Sequence, residues 1–383
     1  MRLLKIGVYY QTYLKQFYAR HPALGAEPYA AQHAALIDDC FGSSDFWTRE
    51  LSRLGYETCD LIINAEPLQR AWAAERGLTF DEGGWLFGIT ESQVSDFRPD
   101  VLIVADYSTV TATFLRRLRD VCPSLRLVLG WCGAPYGDSS VFAEWDVVLS
   151  CVPELVAHFR ATGRRSRHVN HAFEPRVLDK LDAREDAPAA DFVFIGSLVK
   201  SERFHLERER LLSRLVEETD LRIWSEVGPQ ASRLRRAARF LRGGAATSPR
   251  PSVDVRVARR ARPPLFGLDM FGQLRAGRVA LNTHIDISTH SASNMRLFEA
   301  TGVGACLLTD LKENLRELFE PDAEVVAYRD AEECVEKVKY LLGHESSRRE
   351  IAAAGQRRTL RDHTFASRAA LVDEIIREEL SGG

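Results

Sequence analysis

The sequence has 383 residues, of which 45% are hydrophobic and 27% charged, a length that suggests two domains. Its 51 basic and 54 acidic residues give a net charge of −3, which argues against a general nucleic-acid-binding role. No run of about 18 apolar residues predicts a membrane-spanning helix. The seven cysteines are scattered without a Cys-x-x-Cys pair. We therefore expect a cytoplasmic protein with reduced thiols and no cysteine-based metal site.

The first half alternates short apolar runs with segments of helical spacing. The predicted strands are 3–10, 58–63, 101–106, 125–130 and 146–151, and the predicted helices between them are 45–55, 108–121 and 152–163. Because the apolar runs are continuous rather than alternating, we expect a parallel sheet that is covered by helices on both faces.

A polar segment, 171–190, interrupts this pattern and is predicted to link an N-terminal domain, 1–170, to a second α/β domain, 191–364. In the second domain the predicted strands are 191–196, 221–225, 278–283, 305–310 and 324–328, and the predicted helices are 201–218, 293–301, 312–318, 331–342 and 346–361. A final helix within 365–383 can pack back on the first domain. Two successive βα series predict two Rossmann-like domains with a ligand in the cleft between them.

The segment 229–264 is rich in arginine. Its part 232–242 fits either a solvated helix followed by a loop, or a basic amphipathic segment. In the second case it would meet an anionic acceptor or a membrane surface, which would make the protein peripheral to the inner face of the membrane.

Several common motifs are absent. The sequence contains no Gly-x-x-x-x-Gly-Lys-Ser/Thr, no Gly-x-Gly-x-x-Gly after a strand, no His-Glu-x-x-His and no Gly-x-Ser-x-Gly. This pattern argues against P-loop phosphate binding, nicotinamide or flavin chemistry, and the common zinc and serine hydrolases.

The most informative segment is 279–310. A predicted strand ends at Asn282, a polar loop follows, and a helix is expected to begin near Ser293 or Asn294, both good N-cap residues. The amino end of a helix carries partial positive charge and unpaired N–H groups, so it can hold a pyrophosphate without a metal.

Arg296 and Glu299 lie three residues apart on one face of this helix. Their axial offset of roughly 4–5 Å suits a cation on a phosphate and a carboxylate on ribose hydroxyls. The alternative is a surface Arg–Glu pair on a helix that packs against the sheet.

Sequence strings in this region resemble a known family. The strings NMRLFEATGVGACLLTD (294–310), LRELFEPDAEVVAYRDAEECVEKVKYLL (315–342) and IAAAGQRRTLRDHTFASRAALV (351–372) resemble the C-terminal domain of the CgeB-like glycosyltransferases, which belong to the group 1 glycosyltransferases. The resemblance covers most of the chain but is dense only over about 190–372.

The resemblance implies a GT-B fold, in which two Rossmann-like domains face each other across a cleft. The C-terminal domain would hold a nucleotide-diphosphate sugar and the N-terminal domain the acceptor. Glu299 would bind the donor ribose, with Asn294 and Arg296 beside the diphosphate. The other candidate donor-binding residues are Gly196 and Ser197 at the first strand–helix turn, Arg203 as a second phosphate cation, Asn282, His284 and Ser293.

One position departs from the family pattern. Many group 1 enzymes carry Glu-x7-Glu, whereas this sequence has Ser291 eight residues before Glu299. Contacts to the sugar would then come from His284, Asp286 or His290, each of which could equally be a loop residue without a ligand.

The implied reaction transfers a sugar to a hydroxyl of a glycan, a lipid-linked acceptor or a secondary metabolite. Arg296 and the helix amino end would stabilise the leaving diphosphate without a metal or other cofactor. A retaining reaction needs no strong protein base, whereas an inverting one needs a base from the N-terminal half. The candidate bases are His33, Asp38, Asp138 and Asp106, of which Asp106 is preferred because it ends a predicted strand.

Tyr10 and Tyr13 are candidates for stacking on a sugar acceptor, with packing in the core as the alternative. Two other functions remain open on the same fold. One is a sugar-nucleotide epimerase, and the other is a catalytically inactive nucleotide-sugar-binding protein.

Overall fold

The computed structural model describes residues 1–198, 205–226, 253–286 and 288–382. The chain forms two compact units. Unit 1 contains Met1–Glu174 and Asp362–Gly383, and unit 2 contains Pro175–Arg361. The basic segment 232–242 and the candidate cation Arg203 lie outside the described residues.

Unit 1 is built on a six-stranded parallel sheet of order β2-β1-β3-β4-β5-β6. Its strands are β1 (Arg2–Gly7), β2 (Glu57–Ile62), β3 (Val101–Val104), β4 (Leu127–Trp131), β5 (Val147–Ser150) and β6 (Ser166–His168). Its helices are α1 (Gln11–Arg20), α2 (Tyr29–Asp38), α3 (Phe46–Arg53), α4 (Glu66–Glu75), α5 (Trp85–Phe97), α6 (Ala112–Val121), α7 (Pro153–Ala161) and α16 (Phe365–Ser381). Strands β3 and β5 are buried at every position, as expected for a sheet covered on both faces.

Unit 2 is built on a second six-stranded parallel sheet, of order β12-β11-β10-β7-β8-β9. Its strands are β7 (Ala190–Ile195), β8 (Leu221–Trp224), β9 (Ala261–Arg262), β10 (Gly277–Leu281), β11 (Cys306–Asp310) and β12 (Val326–Tyr328). Its helices are α8 (Arg176–Asp182), α9 (Leu206–Glu218), α10 (Val255–Arg260), α11 (Gly267–Arg275), α12 (Arg296–Gly302), α13 (Leu315–Leu318), α14 (Ala331–Gly343) and α15 (Glu345–Asp362). The predicted α/β architecture with two parallel sheets is thereby confirmed.

The boundary between the units falls between Glu174 and Pro175, inside the segment 171–190 that the sequence predicts as a linker. That segment also contains helix α8. After Asp362 the chain returns to unit 1, where the ring of Phe365 packs against Phe46 and Trp47 at centroid distances of 5.0 and 5.2 Å. The C-terminal helix α16 is therefore part of the core of unit 1.

None of the helices within the described residues is both long enough and apolar enough to cross a lipid bilayer. The longest of them, α15, has 18 residues and a strongly charged sequence. Its polar composition is typical of a helix that packs on a domain surface.

Candidate functional site

Polar side chains gather at the carboxyl edge of the unit 2 sheet, where β10 and β11 end side by side. Asn282 follows β10 and is buried. Its backbone N–H donates to the Leu308 carbonyl at 2.8 Å, and its side-chain amide donates to Thr309 Oγ1 at 2.9 Å. The Tyr328 hydroxyl donates to the Asn282 carbonyl at 2.9 Å, and Asn294 Nδ2 donates to Asn282 Oδ1 at 2.7 Å. Asn282 thus fixes the start of the loop to the neighbouring strands.

His284 and Asp310 form a pair at the same edge. His284 Nδ1 lies 2.7 Å from Asp310 Oδ1, and the His284 backbone N–H lies 3.2 and 3.3 Å from the two carboxylate oxygens. Lys312 Nζ lies 3.2 Å from Asp310 Oδ2. Burial acts to raise the pKa of Asp310, but its contacts with His284 and Lys312 outweigh burial and hold that pKa well below its usual value. The Asp310 carboxyl is therefore ionised and fixes the imidazole of His284.

Arg208, on the first turn of α9, is a buried cation that ties three elements together. Its guanidinium donates to the Ser197 carbonyl at 2.9 Å, to the Thr283 carbonyl at 2.7 Å and to His205 Nε2 at 3.0 Å. Burial lowers the pKa of Arg208 to about 10, so the group stays protonated at neutral pH. Burial and the charge of Arg208 lower the pKa of His205 to about 3, which keeps that imidazole neutral.

Arg208 was not among the residues selected from the sequence, and the selected cation Arg203 lies outside the described residues. A signal for Arg208 is present in the sequence, because it shares helical spacing with Leu211, Leu212 and Leu215 on the buried face of α9. A charged residue on an apolar face must find partners inside the protein, and such residues are often functional.

The helix after the loop begins later than predicted. Helix α12 starts at Arg296, after Met295 in helical conformation, and spans seven residues. Neither Ser293 nor Asn294 caps it, because Met295 occupies the N-cap position and no side chain accepts a capping bond there. Ser293 Oγ lies 3.1 Å from Ser288 Oγ, and Asn294 Nδ2 bonds to Asn282. The helix thus begins close to the expected position, but the expected cap by Ser293 or Asn294 is not formed.

Arg296 and Glu299 share one face of α12, as predicted, and they bind each other. Arg296 Nη1 lies 2.8 Å from Glu299 Oε2, and their side chains are 15% and 8% exposed. Arg296 also contacts Met270 Sδ through both terminal nitrogens, at 3.2 and 3.3 Å. Burial raises the pKa of Glu299, and the adjacent Arg296 opposes that shift. The alternative of a surface Arg–Glu pair is met only in part, because the two residues pair but are buried, and a ligand at this place would replace an existing ion pair.

The turn after β7 is explained by packing. The Gly196 N–H donates to the Trp224 carbonyl at 3.1 Å, and a Cβ added at Gly196 would lie 2.9 Å from the ring of Phe194. Ser197 is exposed, and its carbonyl accepts the bond from Arg208. A larger residue at Gly196 would therefore require the Phe194 ring to move.

Two further loop candidates have structural roles. Asp286 Oδ2 accepts from the backbone N–H groups of Leu206 and Glu207 at 2.7 and 3.4 Å, which caps α9. His290 is exposed, and its Nδ1 lies 2.7 Å from Glu313 Oε1. Ser291, at the position of the missing glutamate, is buried in the same loop.

Some buried side-chain atoms in this region lack a hydrogen-bond partner. Within the described part of unit 2 these atoms are Arg208 Nε, Ser225 Oγ, His284 Nε2, Asp286 Oδ1 and Asn294 Oδ1. All five belong to residues at the carboxyl edge of the sheet, after β7, β8 or β10. Buried polar atoms without partners are rare and call for an explanation, and a polar ligand at this edge would supply one.

The candidate bases of unit 1 are held within their own turns. Asp106 accepts from the Ser108 and Thr109 backbone N–H groups and from Ser108 Oγ, at 3.1, 2.5 and 2.9 Å. Asp138 accepts twice from Ser140, at 2.8 Å each, and these bonds lower its pKa. Both carboxylates therefore stabilise loops that follow strands.

The other two candidate bases lie on α2. Asp38 ends that helix and is exposed. His33 Nε2 lies 2.9 Å from the Asp60 carbonyl, so this nitrogen carries the proton and donates it. These contacts do not rank one of the four candidate bases above the others.

The two candidate acceptor tyrosines differ in exposure. Tyr13 is completely buried, its hydroxyl donates to Asp39 Oδ2 at 3.0 Å, and its ring stacks on Phe41 with a centroid distance of 3.9 Å. It is a core residue in this structure, which corrects the expectation that it stacks on an acceptor. Tyr10 is 68% exposed and packs one edge against Phe41.

Among the described residues, no group of three or more His, Cys, Asp and Glu side chains is arranged to hold a metal ion. The His284–Asp310 pair has Lys312 as its third neighbour, and an ammonium is not a metal ligand. The polar groups found here are therefore suited to hydrogen bonding and to ion pairing.

Two successive parallel α/β units of this kind define the GT-B class of fold, and comparison with solved structures confirms it. Sucrose-phosphate synthase from Thermosynechococcus elongatus is 11% identical, with a TM-score of 0.57 and 100% of both chains covered. Anabaena Alr3699/HepE in complex with UDP-glucose is also 11% identical, with a TM-score of 0.57 and 99% and 100% coverage. AviGT4, a glycosyltransferase involved in avilamycin A biosynthesis, is 12% identical, with a TM-score of 0.53 and 100% and 99% coverage.

Residues 207–374 match the family model described as glycosyl transferase-like. No curated protein is similar in sequence to the chain. The matched segment contains Arg208, His284, Arg296, Glu299 and Asp310, so it includes the polar cluster at the sheet edge. The family match thus covers the C-terminal part of the chain, and the solved structures share its fold.

Proposed function

We propose that the protein is a glycosyltransferase that moves a sugar from a nucleotide-diphosphate sugar to an acceptor hydroxyl. The observation that carries this proposal is the cluster at the carboxyl edge of the unit 2 sheet. It combines two guanidinium groups, a buried carboxylate and five buried polar atoms without partners, all on residues at the edge where α/β sheets bind ligands.

In the proposed complex, Arg296 turns from Glu299 to the diphosphate of the donor. The Glu299 carboxylate then accepts hydrogen bonds from the ribose hydroxyls, which replace the bonds lost from Arg296. The buried charge of Arg208 adds positive potential below the same edge. As the glycosidic bond breaks, negative charge grows on the leaving phosphate, and prearranged cations stabilise it.

We extend the proposal to the acceptor and the conditions of the reaction. A glycan, a lipid-linked molecule or a secondary metabolite would supply the hydroxyl, with Tyr10 as an exposed contact in unit 1. The two guanidinium groups make a metal-independent reaction the expectation. We further propose that the protein belongs to the CgeB-like subfamily and is cytoplasmic. Residues 232–242 would contact the membrane.

Binding of nucleotides is the first test. A thermal-shift screen with UDP, GDP, dTDP and CDP should show stabilisation by at least one of them, since a ligand of the native state raises its stability. Anabaena Alr3699/HepE has been solved with UDP-glucose, with UDP, and with UDP and glucose, so UDP is a reasonable first probe.

Two variants decide whether the site is the proposed one. Glu299→Gln should abolish acceptor-dependent release of the diphosphate, while Glu313→Gln, an exposed carboxylate on the neighbouring loop, should not. Diphosphate release by correctly folded Glu299→Gln at the wild-type rate would refute the proposal. Release that needs no acceptor and returns an epimerised sugar would indicate an epimerase instead.

A further inference from the structure

The buried imidazole of His284 has one nitrogen bonded and one without a partner. Its side chain is 1% exposed, Nδ1 lies 2.7 Å from Asp310 Oδ1, and Nε2 has no hydrogen-bond partner. Leaving a buried polar atom without a partner is unfavourable. A ligand that supplies the missing bond would therefore gain affinity.

The bond to Asp310 determines which chemistry the free nitrogen offers. Asp310 also accepts from the His284 backbone N–H and lies 3.2 Å from Lys312 Nζ, so its oxygens are acceptors. In the neutral form of the imidazole the carboxylate holds the proton on Nδ1, and Nε2 presents a lone pair. In that form Nε2 needs a hydrogen-bond donor, which an ionised phosphate oxygen cannot be.

Neighbouring atoms have the same requirement. Asp286 Oδ1 and Asn294 Oδ1 are also buried acceptors without partners, and both belong to the loop that begins at Asn282. A sugar presents several hydroxyl donors, whereas a diphosphate presents only acceptors. The loop is therefore complementary to the sugar of the donor, and the guanidinium groups are complementary to its phosphates.

We propose that His284 is a specificity-determining residue for the donor sugar, and that its Nε2 accepts a hydrogen bond from one sugar hydroxyl. Asp310 is then a positioning residue that holds the proton on Nδ1. Nε2 is covered in this structure, so the hydroxyl displaces the atoms that now cover it. This inference rests on the proposed function. It adds that the His284–Asp310 pair recognises the sugar of the donor.

Two substitutions separate the nitrogens of His284. In His284→Asn the side-chain amide can still donate to Asp310 from the position of Nδ1, but nothing replaces Nε2. In His284→Gln the longer side chain places its amide near the position of Nε2. Thermal unfolding of both variants identifies any loss of folding. If only one of them folds, that variant still tests the proposal.

Calorimetry would compare UDP with UDP-glucose and UDP-galactose, and GDP with GDP-mannose. We expect His284→Asn to leave the Kd of the diphosphate within about twofold of wild type and to weaken the matching nucleotide sugar about tenfold or more. His284→Gln should recover part of that loss. The ratio of the two Kd values is informative because a general disturbance of the fold would change both.

The other outcomes contradict either the role of His284 or the proposed function. If His284→Asn weakens the diphosphate and the nucleotide sugar by the same factor, or neither of them, the role of His284 is refuted and the transferase proposal stands. If wild-type protein binds none of these nucleotides, the proposed function fails, and the role of His284 fails with it.

Discussion

The carboxyl edges of the two sheets are built from the same topology but carry different chemistry. In unit 1, Asp106 and Asp138 follow strands, and their carboxylate oxygens accept hydrogen bonds from the backbone of their own turns. In unit 2, Glu299 and Asp310 pair with side chains that could also bind a ligand. A carboxylate at this edge of a sheet therefore indicates a binding site only when a ligand can replace its hydrogen-bond partners.

Unpartnered buried atoms give the same contrast. In the described residues of unit 1 these atoms are dispersed. Examples are at Arg2, the first residue of β1, at Gln93 inside α5 and at Trp145 just before β5. In the described part of unit 2 they all lie at one edge of the sheet. The position of such atoms, more than their number, distinguishes a ligand site from imperfect packing.

The largest effect that would test this contrast is expected from Arg296→Ala. The substitution leaves the buried Glu299 without its partner, so we expect a loss of about 3–5 kcal/mol in the free energy of unfolding. Diphosphate affinity measured by calorimetry should fall by about 1–3 kcal/mol. The double variant Arg296→Met with Glu299→Leu should recover much of the stability, because it removes both charges. A loss below about 1 kcal/mol in the single variant would contradict the buried pair.

A smaller loss is expected from Arg208→Met. Methionine fills part of the volume but leaves the carbonyls of Ser197 and Thr283 without their donor, which should cost about 1–3 kcal/mol in a denaturant titration. Arg210→Met on the same helix is the matched control, because that side chain is 73% exposed, and it should change stability by less than about 0.5 kcal/mol. Equal losses in both variants would argue against a special role for Arg208.

Asp106→Asn tests the other side of the comparison. The amide oxygen can still accept from the Ser108 and Thr109 N–H groups, so stability should change by less than about 1 kcal/mol. We expect kcat to stay within a few-fold of wild type, because the carboxylate stabilises the turn that follows β3. A drop of about 10²–10⁴ in kcat with folding intact would restore Asp106 as the general base of an inverting reaction.

The smallest effect is expected from Tyr10→Ala. This ring is largely exposed and contributes little to the core, so stability should change by less than about 0.5 kcal/mol. If Tyr10 stacks on the acceptor, the KM of the acceptor should rise about 2–10-fold while the KM of the donor stays constant. Tyr340→Ala, an exposed ring in unit 2, should leave both KM values unchanged and serves as the control.

Much of the fold is predictable from the sequence because buried parallel strands must be apolar throughout. The runs at 101–106 and 146–151 contain β3 and β5, and the helical spacing of Arg296 and Glu299 correctly placed them on one face. Helix starts were less predictable. Ser293 had the residue type of an N-cap, but its hydroxyl bonds to Ser288 instead.

The candidate site was predictable only in part. Its location after β10 followed from the strand and helix pattern, whereas His284 became a candidate through the family resemblance and the absent first glutamate. The pairing of His284 with Asp310, 26 residues further on, could not follow from local spacing. The role of Arg208 was not predictable for a related reason, because its partners are a carbonyl after β7 and another after β10.

The sequence alone determined the two βα series, the apolar faces and the residues that α12 carries on one side, since all of these depend on hydrophobic spacing along the chain. The tertiary structure decided which polar atoms find partners. Parallel pairing brings the end of β10 beside the end of β11, so Asn282 bonds to Thr309 and His284 to Asp310. Hydrogen bonds need atoms within about 3 Å, and only the register of neighbouring strands brings such distant residues that close.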